Sequence, residues 1–287
     1  MTDRPDALSA RPLIGAHASV AGGLATGGLA YAAATGTEAI QVFVANPRSW
    51  TAPPGDPAQD EALRQAALPV FVHASYLINL GSSDELTAAR SVSALEHALR
   101  RGEEIGARGV VVHPGSAVGA DREAGLRQVA SALVPLLDKL GDHSPDLLLE
   151  PMAGQGQMLC ADVADLAAYL DALGRHPRAC VCLDTCHVFA AGHDLTADGG
   201  PAALLDALAA VGGQLKLVHA NDSATGCGSR RDRHANIGAG EIGTGPMRGL
   251  LHHPALADVP FVVETPGGQE AHARDIAALK ALRARTA

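Results

Sequence analysis

The chain has 287 residues and a mass of 29.2 kDa, near the ~250 residues of one closed α/β barrel and too long for most small binding modules. With 47% hydrophobic and 18% charged residues it can bury a sizeable core, which excludes an intrinsically disordered chain. The formal charge of −9 argues against broad attachment to nucleic acid or an anionic membrane, unless carboxylates hold divalent cations where a substrate sits.

Short apolar or β-branched runs that end in polar residues recur at 13–17, 39–44, 69–73, 109–113, 147–150, 179–184, 215–219 and 261–264. Between them lie Ala/Leu-rich stretches of helical period, such as 91–105, 122–140 and 163–173. The Gly/Ala-rich stretch at 21–36 reads as a helix entry, and residues 51–60, with three prolines, read as a loop. Parallel strands need crossover helices, so eight strand–helix units in one chain predict a single-domain (β/α)8 barrel of the TIM type. The expected domain spans 13–287 behind an N-terminal extension at 1–12. A doubly wound open sheet is the alternative, weakened because neither GxGxxG after the first strand nor GxxxxGK[ST] occurs.

The chain has one Trp, three Tyr and four Phe, so Ala, Val, Leu and Ile must build the core. The opening residues form no apolar signal segment, and no run approaches the ~18 apolar residues of a membrane helix. Five cysteines, an odd number, fit a reducing cytoplasm better than a disulfide framework. A cytoplasmic monomer without membrane attachment is expected.

His73, His113, Glu150, Asp184, His219 and Glu264 each end a predicted strand, from the third to the eighth. In a barrel these ends converge on the C-terminal face, where active sites of this fold lie. A single strand-terminal His or Asp is commonly a helix cap, but six such ends in a row point to ligands of Zn²⁺, Mn²⁺ or Fe²⁺. His17, at the end of the first strand, is either a ligand or a donor to one. His187 follows Asp184 by three, and Asp232 and His234 bracket Arg233, so these three add a further site with an open position. Nine ligands fill three metal sites if one carboxylate bridges.

The strings HASYLINL (73–80), HPG (113–115), EPMAGQG (150–156), LDTCH (183–187), HANDS (219–223), DRHANIG (232–238) and ETP (264–266) resemble the endonuclease IV family. These are zinc-dependent apurinic/apyrimidinic endonucleases of DNA base-excision repair, and the likeness runs from Ile14 onward. It implies three zinc ions per chain, with Mn²⁺ an alternative at one site. The first would be held by His73, His113 and Glu150, the second by Glu150, Asp184, His219 and Glu264, the third by His187, Asp232 and His234. Glu150 is then the bridge and the catalytic residue. The implied substrate is double-stranded DNA with an abasic site, cut on its 5′ side to leave a 3′-hydroxyl and a 5′-deoxyribose phosphate. Arg48 and Tyr76 are implied to enter the DNA at the lesion. Two departures, Ala224 where Lys is frequent and Ala235 where a larger polar residue is usual, bear on DNA contacts and not on metals.

Arg230, Arg231 and Arg233 read either as a solvated loop or as phosphate partners beside the metals, with Arg231 the candidate DNA contact. Cys180, Cys182 and Cys186 alternate along a buried strand and its end and read as small packed hydrophobes. The strings AGGLATGG (21–28) and GAGEIGTG (238–245) read as tight turns rather than phosphate cradles. The rival enzyme is a metal-dependent sugar isomerase or epimerase, which has no use for His187, Asp232 and His234. A non-catalytic damage sensor would lack a ligand, and none is missing.

Overall fold

The computed structural model describes residues 11–284. Its elements run β1 (Ile14–His17), α1 (Leu24–Thr35), β2 (Ile40–Val42), α2 (Pro57–Arg64), β3 (Val70–His73), α3 (Glu85–Glu104), β4 (Gly109–Val112), α4 (Arg122–Leu137), β5 (Asp146–Leu149) and α5 (Val163–Ala172). They continue with β6 (Ala179–Asp184), α6 (Thr185–Ala191), α7 (Gly200–Ala210), β7 (Leu215–His219), β8 (Asp222–Ser223), β9 (His234–Ala235), α8 (Thr244–Leu251), β10 (Phe261–Val263) and α9 (Gly268–Ala284). Eight parallel strands close a barrel in the order β1-β10-β7-β6-β5-β4-β3-β2, and β8 and β9 form a separate antiparallel hairpin. The fold is the expected (β/α)8 barrel.

Period-two alternation explains where the site sits. Phe71, Val111, Leu148, Cys180, Cys182, Leu217 and Val262 form a buried cluster of their own inside the barrel. The alternate residues of the same strands, Val70, Val72, Val110, Val112, Leu147, Leu149, Val181, Leu183, Val218, Phe261 and Val263, join the larger core shared with the helices. A residue two positions beyond an inward one faces inward again. Phe71 therefore leads to His73, Val111 to His113, Leu148 to Glu150, Cys182 to Asp184, Leu217 to His219 and Val262 to Glu264. An apolar layer thus floors a layer of imidazoles and carboxylates.

His113, Glu150 and Glu264 fall one residue past their strands rather than inside them. The loop expected at 51–60 is shorter, because Asp56 accepts from Ala58 and Gln59 N–H groups and Pro57 opens α2. The helix expected from 91 starts at Glu85, where the Asp84 carboxylate caps the Thr87 N–H. Of the expected extension at 1–12, residues 1–10 lie outside the described residues, as do 285–287 of the expected barrel domain. No helix among the described residues is long and apolar enough to cross a membrane.

Candidate metal centre

Glu150, 1% exposed, stands at the centre of the layer above the apolar floor. Its Oε2 lies 3.4 Å from Nε2 of both His73 and His113. Its Oε1 lies 2.9 Å from Nδ1 of His219, which is 3.3 Å from Oε2 of Glu264 and 4.0 Å from Oδ2 of Asp184. The third cluster adjoins: Asp232 reaches His187 Nε2 at 3.3 Å and His234 Nε2 at 3.1 Å. Asp184 Oδ2, 3.4 Å from His234 Nε2, links this cluster to the second.

Three ligand-type groups thus assemble, with atoms within 4.8 Å of one another: His73/His113/Glu150, Glu150/Asp184/His219/Glu264 and His187/Asp232/His234. A fourth overlapping set, Asp184/Cys186/His234, shares two members with them. Ligand atoms ~2.0–2.1 Å from a tetrahedral ion stand about 3.3 Å apart, which is the spacing found here. Glu150 Oε2, His187 Nε2 and His234 Nε2 are buried without a hydrogen-bond partner. Such atoms are costly to bury unless a cation takes their lone pairs, so the residues fit metal ions.

The imidazoles are oriented by what their other nitrogens do. Nδ1 of His73 faces the Ala74 carbonyl at 2.7 Å, Nδ1 of His187 the Pro151 carbonyl at 3.1 Å, and Nδ1 of His234 the Glu264 carbonyl at 3.3 Å. A ring N–H donated to a carbonyl leaves the opposite nitrogen as a lone pair aimed at the cluster. His219 is turned the other way: its Nε2 faces Oε1 of Gln41 at 2.8 Å and Nδ1 faces the carboxylates.

Burial works against charge here, yet the neighbours overrule it. Glu150 is pushed up by desolvation but held well below the carboxylate range by His219, His113 and His73. Glu264 and Asp232 are lowered in the same way, against their burial, by His219 and His17 and by His187 and His234 respectively. Desolvation lowers His187 and His234, but Asp184 and Asp232 raise them to about 10 and about 9. Without metal the site compensates its carboxylates with protons, and a divalent cation would replace them.

A family model for the xylose isomerase-like TIM barrel matches residues 29–284. A probable endonuclease 4 of Streptomyces avermitilis is 55% identical, covering 98% of this chain and 94% of that protein. The crystal structure of endonuclease IV from Thermus thermophilus superposes with a TM-score of 0.82 at 38% identity, covering 94% and 98% of the two chains. The chain belongs to the endonuclease IV family. It is accordingly an enzyme, a nuclease of the hydrolase class. A 3-keto-D-glucoside 4-epimerase from E. coli, at 16% identity and a TM-score of 0.68 over 94% and 100% of the chains, shares the fold alone.

The residues expected to meet DNA lie on loops that follow the barrel strands. Arg48 is exposed on the β2–α2 loop. Tyr76 is 47% exposed on the β3–α3 loop. The two loops share an anchor, since the Pro47 carbonyl accepts from the Tyr76 N–H at 3.1 Å and the Ser75 hydroxyl at 2.8 Å. Tyr76 lies edge-on to His73, with ring centres 5.3 Å apart, and stacks over His113 at 5.9 Å. Burial and the carboxylates of Glu264 and Glu150 push its hydroxyl up to about 12, so the phenol stays protonated. Arg230, Arg231 and Arg233 line a cavity of about 450 Å³ with Asp232 and Gln155. Arg230 holds a left-handed backbone at φ 55° within the β8–β9 connection, two residues before Asp232.

Three buried residues escaped the sequence reading. Gln41 donates from Nε2 to Glu264 Oε1 at 2.5 Å and accepts from His219, and its Nε2 lies 2.9 Å from His17 Nδ1. Asn221 donates to Asp184 Oδ2 at 2.7 Å and accepts the Glu264 N–H at 2.8 Å. Asp222 faces away from the ligands toward a glycine-rich loop. The usable signal for Gln41 was a lone amide inside the apolar run 39–44. His17 lies 3.2 Å from Glu264 Oε1, where it orients a carboxylate of the cluster.

Proposed function

We propose that this chain incises double-stranded DNA at abasic sites, hydrolysing the phosphodiester 5′ to the lesion. The reading is carried by the third ligand group, His187/Asp232/His234, which adjoins the other two and has no role in a sugar epimerase. The first zinc ion would be held by His73, His113 and Glu150, the second by Glu150, Asp184, His219 and Glu264, and the third by His187, Asp232 and His234, with Mn²⁺ an alternative at one site. When bound, the metals supply a nucleophilic water near neutral pH and charge stabilisation for the phosphate.

Glu150 sits between the first two groups, deprotonated, and accepts the proton of the attacking water. The water oxygen bonds to phosphorus and the bond from phosphorus to the 3′-oxygen breaks. That oxygen leaves as the 3′-hydroxyl, protonated from solvent, Glu150 gives up its proton to solvent, and the phosphate stays on the abasic sugar. Tyr76 and Arg48 fill the gap left in the stack, and an abasic nucleotide is selected because it unstacks cheaply and fits where a base would not. Three divalent ions would offset six of the nine net negative charges, at the place where phosphates dock. Arg231 and its neighbours add donors beside the third group. The enzyme acts as a monomer in the cytoplasm.

The test is a synthetic duplex with one abasic analogue, together with elemental analysis of protein purified without chelator. Cleavage on the 5′ side of the analogue by protein holding about three zinc ions per chain is expected. A single metal per chain and an uncut duplex would favour the epimerase.

A further inference from the structure

Asp222 is fully buried on β8, yet no basic side chain pairs with it among the described residues. Its carboxylate is instead met by backbone N–H groups. Gly238 and Gly240 donate to Oδ2 at 2.9 and 3.2 Å, Ile242 and Ser223 donate to Oδ1 at 2.9 and 2.8 Å, and Gly243 reaches both oxygens at 3.3 and 3.2 Å. Gly243 is also the residue that opens α8, which has no side-chain cap of its own. Five amides and a helix N-terminus together replace the missing counter-cation. The glycine string 238–245 is therefore a cradle for an anion, and the anion is the protein's own.

The sequence allows this loop to close so tightly only with glycine. A Cβ on Gly240 would stand 2.3 Å from the Ser223 carbonyl oxygen and 2.6 Å from Asp222 Oδ1. Gly238 and Gly243 hold φ of +80° and +73°.

The geometry matters because of what the loop follows. Asp222 pairs with Ala235, and Ser223 with His234, across the β8–β9 hairpin. Ala224 N–H bonds the Arg233 carbonyl at 2.8 Å and Glu241 N–H the Ser223 carbonyl at 2.8 Å. On the far side, Asp275 of α9 takes the Ile237 N–H at 3.0 Å and the Asn236 amide at 2.8 Å. His234 lies on a two-residue ladder too short to hold its own register, with Asp232 two residues before it, and the segment after it is clamped by Asp222.

We propose that Asp222 is a positioning residue for the third metal group: by wrapping residues 238–243 around its carboxylate it sets where Asp232 and His234 meet His187. The inference rests on the three-metal reading given above. Asp222 belongs to none of the ligand-type groups.

Asp222→Asn presents an amide donor to a ring of donors and should loosen the cradle. Zinc titration against a competing chelator, using the full chain, should show one ion of three bound 10- to 100-fold more weakly and two unchanged. Added zinc should restore incision. Gly240→Ala, which leaves the carboxylate intact, should produce the same selective loss and covers the case in which Asp222→Asn does not fold. In the wild type, the amides of Gly238, Ile242 and Gly243 should be strongly protected from hydrogen exchange. Three ions held with unchanged affinity in folded variants, or uniform weakening of all three, would overturn the role of Asp222. A wild-type protein that never holds three ions would instead overturn the metal reading on which it rests.

Discussion

Nε2 of His219 donates to Oε1 of Gln41 at 2.8 Å, deep in the barrel mouth where both residues are fully buried. That bond fixes the imidazole tautomer, leaving Nδ1 free toward Glu150 and Glu264. Gln41→Leu removes the acceptor and the donor to Glu264 without adding charge. The affinity of the second metal should fall ten- to hundredfold in chelator competition. An unaltered metal titration would show that the ligands orient themselves.

Tyr76 has its ring against the imidazoles of His73 and His113 and is 47% exposed. Tyr76→Ala should weaken binding to abasic duplex ten- to hundredfold, from the loss of ~1–3 kcal/mol of stacking and wedge contact. Zinc content measured on the same preparation should be unchanged. If zinc falls with it, the tyrosine serves the histidines and not the DNA.

Arg231 is exposed and lines a cavity with Asp232 of the third group, and it is the proposed phosphate contact. Arg231→Ala should lower DNA affinity and reduce the slope of log affinity against log salt by about one. A slope equal to that of the wild type would remove Arg231 from the DNA interface.

Glu38 joins the two ends of the barrel wall. Its carboxylate accepts the Ile14 N–H at 2.9 Å and both Arg283 guanidinium nitrogens at 2.6 and 3.0 Å. Burial raises its pKa, but the hydrogen bonds from Arg283 and Ile14, helped by Lys280, bring it to about 2 against an ordinary 4.5. The depressed value means its contribution is complete above the ordinary value and is lost as pH falls toward 2. Metal-free Glu38→Gln should be less stable than metal-free wild type near pH 6, by about 1 kcal/mol at this partly exposed pair. The gap should close in acid. Denaturation curves that differ by the same amount at pH 3 and pH 6 would contradict it.

All five cysteines are free, and of these only Cys227 is exposed. Burial pushes the Cys180 thiol up to about 11 and those of Cys182 and Cys186 up to about 12. A thiol reagent should therefore label one cysteine per native chain, and the remaining four only after unfolding. Fast reaction of Cys186 in metal-free protein would mean that its helix opens when the cluster is empty.

Barrel and ligand layer were legible for one reason: a parallel strand is buried on both faces, so a polar residue at its end stands out against an apolar run. His73 after Val70, Phe71 and Val72 is such a case. Gln41 obeys the same geometry but carries no charge, and nothing in composition separates an orienting amide from an accidental one. The β8–β9 hairpin has two residues per strand, too few for any alternation to register. The glycines at 238, 240 and 243 suggested turns, and only the position of Asp222 reveals what the turns enclose.

Arg283 also donates to the Pro12 carbonyl at 2.6 Å, beside the β1–β10 seam that closes the barrel. The candidate ligands stand at strand ends and in the segments that follow them, whereas among the described residues the helix-to-strand connections at the opposite end contribute none to these groups. At Gly141, in the α4–β5 connection, an added Cβ would meet nothing within 4 Å. Chain order and metal chemistry are therefore separable in this molecule. A circular permutant opened at Gly141 and rejoined through its present ends keeps all nine candidate ligand positions on unbroken segments, while a cut between Asp184 and His187 divides the cluster.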